Sequence, residues 1–124
     1  MIARSRAYLE QILQSIERIS LYAAEGSRAF FESTLLQDGI VHNLELIGAS
    51  VKELPPDLLS AYPHIPWSAI ARVRDRLAHH YLSLDLEIVW EVVIHDLPPL
   101  KAVVVTMLQA TPQTSESGER PPAE

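Results

Sequence analysis

The sequence predicts an all-α protein folded as a single helical bundle. Apolar residues recur at spacings of three and four through most of residues 4–110, which is the spacing of one face of an α-helix. Only four of the 124 residues are glycine. This disfavours a fold built on tight β-hairpins, because such turns usually need residues with positive φ. A chain of this length ordinarily forms one domain with one core.

The first helix is predicted from about Arg4 to Ala24. Its apolar stripe has six positions, Leu9, Ile12, Leu13, Ile16, Ile19 and Ala23. Gly26 then interrupts the pattern, and Ser27 follows as a residue type that caps helices through its hydroxyl. We therefore predict a short second helix from Ser27 through Ser33.

A long helix is predicted next, from about Leu35 to Glu53. Gly48 lies in its interior, where glycine costs about 1 kcal/mol relative to alanine. The close approach of another helix would explain why glycine stands there. Pro55 and Pro56 end this helix, since neither ring fits a helix interior.

The region from Asp85 to Ala110 is open to two interpretations. Its β-branched runs, Ile88-Val89-Trp90 and Val103-Val104-Val105, would also suit strands. A helical stripe favours helix instead, at Leu86, Val89, Trp90, Val93, Ile94 and Leu97. We expect a break at Pro98-Pro99 and a last helix ending near Leu108. Residues 1–110 then form the helical domain, and residues 111–124, which lack apolar periodicity, form a disordered tail.

Composition narrows the function classes. The chain has no cysteine, so disulfides and thiolate metal sites are excluded. No apolar run approaches the roughly 20 residues that span a bilayer, and the N-terminus lacks the apolar core of a signal peptide. A net charge of −6 argues against a protein that coats nucleic acid non-specifically. We expect a cytoplasmic protein that needs no membrane and no cofactor.

A remaining helix is predicted from Trp67 to about His80, and it carries a basic cluster. Arg72, Arg74 and Arg76 stand there against Asp75, whereas residues 85–124 contain seven acidic residues and two basic ones. Such a cluster in an acidic chain is either a functional site or a solvated helix face.

Arg74 is the unusual member of this cluster. On a helical wheel begun at Trp67, it falls within the apolar arc, whereas Arg72 and Arg76 fall outside it. A guanidinium stays charged, so a buried one needs a partner. Three explanations are open: a side chain that reaches past the core to solvent, an ion pair with an acid such as Glu45 or Asp75, or a cleft or oligomer interface.

His79 follows Arg74 by five residues, about 140° around the wheel, so a straight helix would not aim both at one point. Either the helix ends near His79, or two copies of the helix pack together and share a site. His80 would suit an exposed cation at a helix end. The other histidines show no ligand spacing, which leaves a metal site little support.

Arg74, His79 and Tyr81 resemble the Arg-x4-His-x-Tyr motif of the HEPN superfamily, in its HepT toxin branch. Further segments resemble that branch in order and spacing: Asn43 to Gly48, Tyr62 to Trp67, Val89-Trp90, and Asp96 to Leu100. The resemblance covers about residues 5–109, with departures at His42, Ala49 and Asp75.

The resemblance implies an antiparallel HEPN-type bundle that forms a homodimer, with the two motif helices facing each other across a cleft. It implies a metal-independent endoribonuclease toxin that cleaves RNA and is paired with a nucleotidyltransferase antitoxin of the MNT type. That antitoxin would adenylylate the tyrosine of the motif, Tyr81.

Chemistry assigns each motif residue a role. His79 suits proton transfer, because histidine titrates near neutral pH. Arg74 suits the scissile phosphate, because its planar fork binds two oxygens. Asp75 could orient His79, and Arg76 and His80 are supporting residues. A non-catalytic helical dimer that binds RNA, a nucleotide or a nucleotidyltransferase is the alternative.

Overall fold

A computed structural model describes residues 3–79 and 83–110 of the chain. The predicted tail at residues 111–124 lies outside this range, and so do His80 and Tyr81. Within it the all-α prediction is confirmed. The described helices are α1 (Ala3–Ala23), α2 (Ser27–Glu32), α3 (Thr34–Lys52), α4 (Pro56–Ser60), α5 (Trp67–Ala71), α6 (Val73–Leu77), α7 (Leu86–Glu91) and α8 (Leu97–Gln109).

Two small elements complete the described chain. Strands β1 (Ala78–His79) and β2 (Ser83–Leu84) pair in antiparallel register, with Ala78 opposite Leu84 and His79 opposite Ser83. A π-helical turn, Val92–Asp96, joins α7 to α8.

Helices α1 and α3 form the centre of the bundle, and α8 packs against α1. The α1 stripe is buried as predicted at Leu9, Ile12, Ile16 and Ile19, whereas Leu13 and Ala23 are partly buried at its margin. Helix α3 buries one apolar face, formed by Ile40, Val41, Leu44, Ile47, Gly48 and Val51. None of the described helices is long and apolar enough to cross a membrane.

The caps between α1 and α3 differ from the prediction. Gly26, at φ 96°, is the N-cap of α2, and Ser27 is the first helical residue. Glycine adopts this left-handed φ readily, so the chain turns into α2 at Gly26. Helix α2 therefore begins without a capping hydrogen bond from a serine hydroxyl. Ser33 caps the next helix instead, since its hydroxyl accepts a hydrogen bond from the Leu36 N–H at 3.1 Å. Ser33, predicted as the end of the second helix, is thus the N-cap of α3.

Gly48 lies where another helix approaches α3 closely, as predicted. A Cβ built on Gly48 would lie 3.0 Å from the Ile70 carbonyl oxygen, 3.1 Å from Val73 Cγ1 and 3.3 Å from the Ala71 carbonyl oxygen. The missing side chain therefore lets α5 and the start of α6 rest directly on α3.

The single helix predicted from Trp67 to His80 is wrong. The chain breaks at Arg72 (φ −105°, ψ 27°) between α5 and α6, and helix ends at Leu77. The Asp85 N–H donates to the Leu77 carbonyl oxygen at 2.9 Å, so the last turn of α6 bonds to the returning chain across the β1–β2 pair. An expected helix of about 14 residues is thus two helices of five residues followed by an extended segment.

Residues 86–109 are helical, and the predicted break at Pro98-Pro99 is wrong, because the helix continues through both prolines. Both prolines lie in the first turn of α8, and the turn before them is widened to π geometry, with the Leu97 N–H donating to the Val92 carbonyl oxygen. A proline ring clashes with the carbonyl four residues earlier and offers no N–H to it. Widening the preceding turn relieves that clash without stopping the helix.

Candidate active site

Helix α6 anchors the predicted site through two apolar residues. Val73 and Leu77, four residues apart, are 4% and 1% exposed and lie in the core. The three charged residues between them, Arg74, Asp75 and Arg76, are exposed. The helix therefore presents a contiguous charged surface while its other face holds it on the bundle.

Arg74 does not lie on the buried face of its helix. Its side chain is 84% exposed, and Nε lies 3.8 Å from Glu45 Oε2 on α3. The expectation of an apolar position is wrong because the break at Arg72 ends the helical phase counted from Trp67. The ion pair with Glu45, one of the three explanations offered for Arg74, is the one found in the single chain.

Arg76 is more firmly held than Arg74. Its Nη1 donates a hydrogen bond to Asp96 Oδ2 at 3.2 Å, and the two side chains are 37% and 24% exposed. Asp96 is the last residue of the π-helical turn, 20 positions further along the chain. Two neighbouring arginines therefore differ: Arg74 extends into solvent, and Arg76 joins α6 to another element.

His79 lies in β1, two residues beyond the end of α6. Of the two arrangements considered for Arg74 and His79, the helix ending near His79 is the one observed. The 140° wheel angle therefore does not apply to them, and the wheel by itself gives no reason for a two-chain site. Tyr81 lies outside the described range.

The remaining histidines of the described chain lie outside α6 and β1. His42, His64 and His95 are exposed, and His95 pairs with Glu91 at 3.4 Å. Across residues 3–79 and 83–110, no three histidine, aspartate or glutamate side chains group as metal ligands do. An apolar groove of about 460 Å³ beside α4 and α5 contains none of the predicted site residues.

Sequence reasoning identified Glu45 as a partner for Arg74 and missed Asp96 as the partner of Arg76. Glu45 is predictable because a buried Arg74 would need an acidic partner, and Glu45 is one of the two acids named for that role. Asp96 carries no comparable signal in the sequence, since a 20-residue separation and a widened helical turn bring it to α6.

Comparison with known proteins gives this geometry a family. Residues 12–107 match the family described as "Ribonuclease HepT-like". This range contains the whole stretch from α6 to α7. No solved structure is significantly similar to this chain.

Several archaeal and bacterial proteins are similar over most of the chain. A Methanocaldococcus jannaschii protein named "Gamma-glutamylcyclotransferase and putative RNase" is 39% identical over 105 residues, which cover 84% of this chain and 47% of that protein. The chain thus spans about half of that relative. A Caldanaerobacter subterraneus subsp. tengcongensis "Putative RNase" is 36% identical over 108 residues, covering 84% of this chain and 94% of the relative.

A third relative carries the family's own name. The "Probable ribonuclease HepT" of Thermococcus cleftensis is 38% identical over 98 residues, covering 76% of this chain and 86% of the relative. The family match covers most of the chain, and these three relatives are 36–39% identical to it. This chain belongs to the ribonuclease HepT-like family of the HEPN superfamily.

Proposed function

We propose that this chain is the toxin of a HEPN/MNT toxin–antitoxin system, a metal-independent endoribonuclease that acts as a homodimer in the cytoplasm. The observation that carries the proposal is the family match over residues 12–107, which includes the whole Arg74-to-Tyr81 segment. Its relatives are named as ribonucleases. RNA is therefore the proposed substrate.

The exposed face of α6 supports this chemistry. Arg74 has most of its guanidinium free to bind a phosphate, because its contact with Glu45 is a long one through Nε. His79 follows in β1, two residues beyond the end of α6, and would move a proton between the 2′-hydroxyl and the leaving 5′-oxygen. Asp75, in the first turn of α6 and exposed, is available to orient that histidine.

A non-catalytic helical dimer remains the competing function, with RNA, a nucleotide or a nucleotidyltransferase as its ligand. The net charge of −6 favours this non-catalytic function, because an acidic chain does not offer RNA a broadly basic surface. The Arg74–Glu45 ion pair also gives Arg74 a structural role in the single chain. The two functions differ in what a change at His79 removes.

Cleavage of RNA in EDTA by the purified chain tests the proposal. Wild-type protein should cut RNA, and Arg74→Ala or His79→Ala should each lower the cleavage rate by about 10²-fold or more, the range for loss of a proton-transfer or charge-stabilising group. Arg28→Ala and His64→Ala, exposed residues elsewhere, are matched controls that should cut normally. Cleavage that required an added divalent metal, or that survived His79→Ala, would contradict the mechanism.

Neutralisation by a nucleotidyltransferase is the second part of the proposal. An AMP on the Tyr81 hydroxyl would add bulk and negative charge where an RNA phosphate must approach, two residues from His79. The reaction would join the tyrosine oxygen to the α-phosphorus of ATP, release pyrophosphate and leave the phenol proton to solvent.

Mass spectrometry after incubation with a partner nucleotidyltransferase and ATP tests this assignment. The expected result is one or more AMP units on the peptide containing Tyr81. Tyr81→Phe, which keeps the ring and removes the acceptor oxygen, should remain unmodified and escape neutralisation. An adduct on Tyr8, Tyr22 or Tyr62, or neutralisation without any adduct, would refute it.

A further inference from the structure

We propose that the ion pair between Arg76 and Asp96 positions the chain segment that contains His79, and that Arg76 does not contact RNA phosphate. This inference rests on the proposed ribonuclease function for its activity readouts. It assigns a role to an arginine that the sequence alone places among solvated supporting charges.

Arg74 and Arg76 differ in their contacts, and this difference separates their roles. Arg76 Nη1 donates to Asp96 Oδ2 at 3.2 Å with both side chains at most 37% exposed, whereas Arg74 is 84% exposed and 3.8 Å from its acid. A guanidinium already bonded to a half-buried carboxylate has less capacity for a substrate phosphate than one that extends into solvent. Arg74 is thus the arginine of α6 that is better placed to bind an anion.

The pair joins the two ends of the chain segment that contains His79. Arg76 lies in the last turn of α6, immediately before Leu77 and the strand that contains His79. Asp96 lies beyond α7, at the end of the π-helical turn. The ion pair therefore closes a segment of the chain that includes β1, β2 and α7, and it restrains the direction in which the chain leaves α6.

The widened turn places Asp96 for this contact. A π-helical turn contains one more residue than an α-helical turn, so residues after it are rotated by about 100° relative to a regular helix. In this chain the turn leaves Val92, Val93 and Leu97 buried while the Asp96 carboxylate reaches α6. Asp96 forms no side-chain cap for α8 among the described residues, so the ion pair is its described polar contact.

A double-mutant cycle of Arg76→Ala and Asp96→Ala in the full-length chain tests the proposal. Each single change should lower single-turnover RNA cleavage about tenfold, because small displacements of a catalytic group are costly. The double variant should be no slower than the slower single variant, since one interaction is lost in all three. Arg28→Ala, an exposed arginine on α2, is the control and should cleave like wild type.

RNA binding distinguishes positioning from phosphate contact. A phosphate contact by Arg76 would reduce the slope of log affinity against log salt by about 0.7 for single-stranded RNA. A positioning role predicts an unchanged slope and an affinity within about twofold of wild type for Arg76→Ala. A reduced slope, or a double variant whose loss is the product of the two single losses, would overturn the proposal.

Hydrogen exchange gives a readout that does not need activity. The Asp85 amide donates to the Leu77 carbonyl oxygen, and it should exchange faster in both Arg76→Ala and Asp96→Ala than in wild type. Faster exchange in both variants, together with a wild-type chain that cuts no RNA, would uphold the pair and remove the proposed function. Unchanged exchange in both variants would overturn the pair even if the chain is a ribonuclease.

Discussion

Glu45 competes with RNA for Arg74 under the proposed mechanism. Its carboxylate lies 3.8 Å from Arg74 Nε, and the two side chains are 40% and 84% exposed. An exposed ion pair of this kind contributes about 0–1 kcal/mol to stability, because water screens it and two long side chains lose freedom. A phosphate that accepts two hydrogen bonds from the guanidinium would displace such a partner readily.

Glu45→Gln should therefore tighten RNA binding. Removing the competing charge should increase affinity by about two- to fivefold, which corresponds to roughly 0.5–1 kcal/mol. The free energy of unfolding should change by no more than about 0.5 kcal/mol, as for most surface substitutions. Binding of a non-cleaved RNA to the His79→Ala background measures the affinity, with Glu17→Gln on α1 as the control. Weaker binding would show that Glu45 holds Arg74 in place for RNA.

Single residues were predictable where the reasoning needed only a partner of opposite charge. The Arg74–Glu45 pair was among the explanations given from sequence, and it is present. The burial assigned to Arg74 was wrong, because a wheel assumes one unbroken helix and the backbone at Arg72 leaves helical geometry. The residue type at position 72 does not predict the break, since arginine is a good helix former.

The contact between α3 and the α5–α6 pair depends on Gly48. Backbone carbonyl oxygens of Ile70 and Ala71 lie 3.0 and 3.3 Å from where its Cβ would be. Those atoms belong to α5, which leads into the charged face of α6. The close contact at Gly48 therefore determines where the candidate site lies on the bundle. Backbone cannot swing away as the end of a flexible side chain can.

Gly48→Ala should destabilise the protein despite alanine's better helix propensity. The gain of about 1 kcal/mol from propensity should be exceeded by the cost of overpacking, for a net loss of about 1–2 kcal/mol. Gly39→Ala is the matched control in the same helix, because its Cβ would meet the ring of Tyr22 at 3.0 Å. That half-buried side chain can shift, so Gly39→Ala should be nearer neutral in urea unfolding. Equal effects of the two substitutions would refute the account of Gly48.

The long helices were predictable because their apolar stripes are regular. Helix α1 begins and ends within one residue of the expected bounds, and α3 begins and ends one residue earlier than expected. The elements around the site were not predictable to the same degree. Helices of five residues carry too little periodicity to reveal their ends, and the π-helical turn depends on the clash that Pro98 and Pro99 would cause in a regular helix.

Under the proposed function, two copies of the chain share one active site. The basis for this sharing is membership of the HEPN superfamily, since the helical-wheel argument for a shared site does not survive the end of α6 at Leu77. Net charge and the cysteine-free composition were readable from sequence at this scale. Assembly is not, because it depends on surfaces whose complementarity involves a second chain.

Complementation between two inactive variants measures the shared site most directly. Arg74→Ala and His79→Ala chains, each inactive alone, are unfolded together, refolded as a mixture and assayed on RNA in EDTA. Random pairing of the two chains makes about half of the dimers mixed, and each mixed dimer holds one site with both residues intact. Sedimentation at twice the 13.9 kDa chain mass verifies that dimers have formed. A composite site predicts recovery of about one quarter of wild-type activity, whereas dimers that recover none would show that Arg74 and His79 of the same chain act together.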